Sequence, residues 1–192
     1  MFANVIERAL VKSAPMWVKA TSTAVVLVMV AVVTSACGAA TASEAARVGQ
    51  ADLSIRTVLS QAAIIDDLTR ATQAGAPDGA AVNRAQVAVW IEEQLTAAVA
   101  KELKVSVSEA QVDQFLVKVV RESGLTREQF AQQFAIQQGT WVVPEQLTTF
   151  TLTYLQQQAI KAKLLPRGGT TARSLALNKA LAKASQSEGV YV

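Results

Sequence analysis

The chain has no histidine in its 192 residues and one cysteine, Cys37. The first absence removes imidazole as acid, base or metal ligand, and with it His-containing triads and most transition-metal sites. The second removes any intramolecular disulfide. Aromatic residues make up 5% and charged residues 17%, against 51% hydrophobic, so the apolar content is ample for one core while polar chemistry is scarce. Excess charge is missing too. The net charge is +3, and Arg8, Lys12 and Lys19 against Glu7 account for most of it. Beyond Cys37 stand fifteen basic and fourteen acidic side chains, so a pI near 9.2 gives no reason to expect nucleic acid as a partner. The longest apolar run, Ala24 to Val33, has ten residues, about half of what a membrane span needs.

That run defines the N-terminal organisation. Basic residues precede it and the small residues Thr34-Ser35-Ala36-Cys37-Gly38 follow it. This order predicts a secretory signal peptide over residues 1–36, with an N-terminal membrane anchor or a buried helix as the alternatives. The segment Val33 to Gly38 resembles a bacterial lipobox, although Thr34 stands where Leu is usual. The resemblance implies that Cys37 is the lipidation site, carrying acyl chains such as palmitate, and the mature N-terminus. The expected location is the extracytoplasmic face of the cell membrane. Residues 37–44 read as a short Ala/Thr/Ser tether.

The remainder predicts a mainly α domain over 45–165, with a C-terminal helix and short strand over 166–192. Arg47 to Gln50 reads as a strand followed by a turn. A first helix over 54–73 places Val58, Ala62, Ile65 and Leu68 on one face. The break at Ala74-Gly-Ala-Pro-Asp-Gly79 ends it. A second helix over 82–104 repeats Val87, Ile91, Leu95, Val99 and Leu103 every fourth residue. Two further helix starts share one chemistry. Ser108 is followed three residues on by Gln111, and Thr126 by Gln129, each a reciprocal capping box. Val107 with Val112, and Leu125 with Phe130, have the spacing of hydrophobic staples across those caps. A fifth helix opens at Pro144 and carries Leu147, Phe150, Tyr154, Leu155 and Ala162. A sixth, over 171–185, carries Leu175, Leu177 and Leu181, and Glu188 to Val192 reads as a strand.

No pattern here specifies a reaction, so no catalytic residue, cofactor or metal is expected. Asp66-Asp67 and Glu92-Glu93 are adjacent acids that diverge on a helix. The glutamines at 129, 132, 133, 137, 138 and 156 to 158 read as solvated helix faces. Lys161, Lys163, Arg167, Arg173, Lys179 and Lys183 form an acid-free basic stretch, read as wet helix surface. An anionic membrane near the anchor is its other reading. Trp141, in the turn before the fifth helix, is the first candidate for an exposed client-binding aromatic, with Trp90, Phe134 and Tyr154 behind it.

The strand Ala46-Arg-Val-Gly-Gln50, the segment from Leu103 to Asp113 and the segment Gly124-Leu-Thr-Arg-Glu-Gln-Phe130 together resemble the N-terminal domain of SurA-type chaperones. The resemblance covers residues 45 to 165. It implies an orthogonal multi-helix domain in which Val48 pairs with Val190–Val192 in a small sheet. It also implies binding of unfolded or extended segments of exported polypeptides. The parvulin domain of that family, with its histidines, has no counterpart in the residues after Leu165, so prolyl-isomerase activity is not expected. The alternative is a non-catalytic envelope lipoprotein that binds one fixed partner.

Overall fold

The computed structural model describes residues 43–72, 77–136 and 141–192. Cys37 and the expected signal peptide lie outside them, as do Gln137 and Gln138. The described chain is mainly helical with one small antiparallel sheet. Strand β1 spans Glu44–Val48 and β2 spans Ala51–Ser54, joined by the two-residue loop Gly49-Gln50. Gly49 supplies the positive φ, +60°, that a tight hairpin turn needs at its first loop position. The strand expected at Arg47–Gln50 therefore begins three residues earlier, and the expected turn leads directly into a second strand. Period-2 alternation over four or five residues is too short a signal to show this.

Helix α1 (Ile55–Ala71) follows at once, with Ser54 Oγ accepting from Thr57 N at 3.1 Å. Asp78 caps α2 (Gly79–Glu102) through Ala80 N. Helices α3 (Glu109–Ser123) and α4 (Arg127–Ile136) come next. A 3-10 turn, Pro144–Gln146, leads into α5 (Leu147–Leu164), then α6 (Thr170–Glu188) and β3 (Val190–Tyr191). Strand β3 closes the sheet in the order β2-β1-β3, with Val48 opposite Val190 and Arg47 opposite Tyr191. That is the expected terminal pairing.

Helix α2 is the centre of the fold. It packs against α1, α5, α6 and β1. Its Ile91, Leu95 and Val99 are buried with Ala46, Val48 and Leu53 of the hairpin, Ile160 of α5, and Leu177 and Leu181 of α6. The C-terminal helix thus shares the main core with the N-terminal hairpin. Leu175 lies off this face and is 56% exposed, and Ala162 is exposed as well. Helix α1 links two ends of the molecule. Its Val58 belongs to the main core beside the sheet, while its Ile65 packs with Val82, Ala135 and Val143 near the start of α5.

Both capping boxes form. Gln111 N donates to Ser108 Oγ at 3.3 Å, and Ser108 N to Gln111 Oε1 at 2.8 Å. At the next start, Gln129 N donates to Thr126 Oγ1 at 3.2 Å and Thr126 N to Gln129 Oε1 at 3.1 Å. Between them Gly124, at φ +72°, ends α3 in the left-handed region. Both staple pairs sit in one cluster built on Val112, Leu116, Val119, Phe130 and Leu147.

Candidate functional site

Three helix stripes converge on that second cluster. Phe115, Leu116 and Val119 come from α3, Phe130 and Phe134 from α4, and Leu147, Phe150, Thr151 and Tyr154 from α5. Each set follows helical spacing, so each helix presents one apolar face inward. The caps at Ser108 and Thr126 fix where α3 and α4 begin. The staples anchor both entry turns to the same cluster, and this sets how the two helices meet.

The stripes do not fill the space between them. They leave a cavity of about 70 Å³ open to solvent on one side. The aromatic rings form its frame. Phe130 and Phe134 lie with centroids 6.0 Å apart and nearly parallel planes. Phe134 meets Phe150 edge-on at 5.3 Å, and Phe115 meets Tyr154 at 5.7 Å. Such separations are in the range where ring pairs add to simple burial. The lining has little polar chemistry. Thr151 donates its hydroxyl to Leu147 O of its own helix at 2.7 Å, and desolvation raises the Tyr154 phenol above its ordinary pKa.

Beside the cavity, on the other flank of α4, lies an open groove of about 550 Å³ between α1 and the Pro144 turn. Its lining is mixed. Ile64, Leu68 and Ala131 stand with Arg127, Glu128 and Glu145. Arg127 is 3.4 Å from the Thr148 hydroxyl and within 4.0 Å of Asp113.

Two of the four nominated aromatics, Phe134 and Tyr154, therefore meet at one cavity. The other two do not. Trp90 packs half-buried against the main core. Trp141 is half-buried against Ile65, Val82, Ala135 and Val143. Its φ is +49°, and its carbonyl accepts from Gln86 Nε2, whose residue is 1% exposed. The turn position thus leaves this residue only partly open to solvent. Phe115, Phe130 and Phe150 complete the frame. Their spacing was legible, but a helical stripe reads as core until the neighbouring stripes are placed.

A second polar feature runs along α2. Gln157 Nε2 donates to Glu92 Oε1 at 2.7 Å and to Thr96 Oγ1 at 3.3 Å, so this glutamine bridges α5 to α2 instead of facing solvent. Burial lowers the Lys161 ammonium, and the charge of Glu92 opposes that shift. Glu93 is pushed up to about 7, mainly by desolvation and secondarily by Glu92. Its Oε1 has no hydrogen-bond partner, nor do Asn83 Oδ1 and Gln86 Oε1 on the same helix. Three of the six cations of the basic stretch are engaged. Lys163 donates to the Leu103 carbonyl and Arg173 to those of Leu165 and Pro166, while Lys183 pairs with Glu102 at 3.0 Å. Among the described residues, no cluster of three or more acidic or cysteine side chains is placed to hold a metal ion.

No family model matches this chain, and comparison with curated proteins and with solved structures finds no similar protein.

Proposed function

We propose that this protein is a lipid-anchored, extracytoplasmic chaperone-like module. It binds apolar side chains of unfolded or extended exported polypeptides in the cavity between α3, α4 and α5. The observation that carries the reading is that cavity: five aromatic rings from three helices frame a space with one open side and almost no polar lining. A polar ligand would leave its donors and acceptors unmatched there, whereas an apolar side chain loses only its contact with water. At about 70 Å³ the space suits a branched aliphatic side chain better than a ring, since a dry cavity near 150 Å³ is the size that admits benzene. No step of bond chemistry is assigned, and isomerase activity is not part of the proposal.

The test compares suppression of aggregation of an unfolded substrate with thermal unfolding of the same variants. Tyr154→Ser removes a half-buried ring at the cavity and is expected to weaken suppression several-fold, with a smaller loss of stability than a buried-core truncation. If the unmodified domain does not slow aggregation at equimolar concentration, the chaperone reading is wrong. A lipoprotein serving one fixed partner then becomes the better account. The anchor is tested separately: Cys37→Ser is expected to release the protein from membranes or leave an uncleaved precursor.

A further inference from the structure

We propose that the N-terminal half of α1 is a membrane contact, with Ile55 and Leu59 dipping into the lipid interface and holding the domain in one orientation. The inference rests on the lipid-anchor reading of Cys37. Six peptide units separate Cys37 from Ser43, and whatever their conformation they reach at most about 21 Å. Ser43 O accepts from Ile55 N at 3.0 Å, so the chain enters the domain directly beside the first residue of α1. An acylated Cys37 keeps that end of the molecule near the bilayer.

Two of the large apolar side chains left open to solvent lie on this end. Ile55 is 40% exposed and Leu59, one helical turn on, is 54% exposed. The exposed Ala63 continues the same side of the helix, and the exposed cation Arg56 flanks it. Apolar side chains bordered by a cation fit the boundary of an anionic bilayer. The two acids at this end, Glu44 and Asp52, are both held by Arg47, and Asp66, paired with Arg70, and Asp67 begin about 10 Å beyond Leu59 along the helix. Only the first two turns of α1 therefore suit the interface.

The size of the patch selects the occupant. Two half-exposed side chains offer on the order of 150 Å², about a fifth of the roughly 800 Å² that each partner contributes to a stable protein–protein interface. A second copy would not be held by so little. A tethered domain has already lost most of its freedom relative to the membrane, so a weak contact is sufficient to orient it. The orientation has a consequence. Helix α1 runs 17 residues, about 25 Å, from the sheet to α4, so the helix that forms one wall of the aromatic cavity meets α1 at the end away from the lipid.

The experiment uses the full chain, lipidated in a bacterial host and reconstituted in vesicles of phosphatidylglycerol and phosphatidylethanolamine with brominated acyl chains. Acylation blocks Cys37, so an environment-sensitive fluorophore reports only on an introduced cysteine: Leu59→Cys on α1, or Val117→Cys, an exposed position on α3. The expected result is a blue shift and several-fold stronger bromine quenching at 59 than at 117. A reporter at Ala63→Cys should lose its quenching when Ile55 and Leu59 are both changed to Ser. Vesicle-bound protein with equal quenching at 59 and 117 overturns the proposal and leaves the anchor standing. Wild type that is not retained on the vesicles overturns the anchor, and the proposal with it.

Discussion

Glu93 is the residue with the clearest pH signature. Its folded value near 7 lies above its ordinary 4.5, because burial and Glu92 both disfavour the charged form. The folded state therefore holds this proton more tightly than the unfolded state does. Stability should fall as pH rises from about 4.5 to about 7 and level off above that. Glu93→Gln removes the ionisation. The variant is expected to be more stable than wild type at pH 8, with the gap shrinking toward pH 5, when urea midpoints are compared at each pH. An unchanged gap across that range would mean that Glu93 is not the titrating group. The sequence hid this residue. Glu93 lies off the Val87–Leu103 stripe, the side where a charged side chain is normally wet, and α2 happens to be enclosed on more than one side. Gln86 was hidden for the same reason. Trp141 differs in the opposite sense, since its turn leaves it half-buried with its carbonyl held by Gln86.

At the scale of elements, legibility followed range. The caps at Ser108 and Thr126 join residues three apart, and both formed as the spacing required. The β1–β2 hairpin was half seen, since its pairing is set by Gly49 and by burial that a run of four residues does not display. The energetic expectations follow from the same contrast. Thr126→Ala removes one cap hydroxyl at the surface and should cost about 1 kcal/mol. Phe130→Ala empties a buried site framed by other rings and should cost roughly 3–5 kcal/mol. Chemical denaturation of both variants checks the ordering. The end of α2 offers a change of the other sign. Lys104 N donates to Lys101 O and Val105 N to Ala100 O, the two bonds of a Schellman motif, with Lys104 at φ +51° in place of the usual glycine. Lys104→Gly should raise the denaturation midpoint by relieving a strain of about 1 kcal/mol, less the flexibility it adds to the unfolded chain.

At the scale of the molecule, the chain builds one core at the sheet and another around α3, α4 and α5, with α5 contributing to both, and a smaller cluster at the far end of α1. The core at the sheet joins both ends of the described chain through Val48 and Val190. The one around α3, α4 and α5 retains an opening. Periodicity named nearly every ring there, yet it could not distinguish a closed core from an open one, because that depends on how three helices cross. The central claim concerns that opening, and one measurement addresses it directly. An unfolded client carrying photo-reactive leucine is mixed with the protein and irradiated, and the adducts are mapped by mass spectrometry. The account predicts adducts concentrated on Phe115, Phe134, Phe150 and Tyr154 and their immediate neighbours, lost when an excess of unlabelled apolar peptide competes. Adducts scattered over the surface, or concentrated on α6 and the sheet, would contradict it.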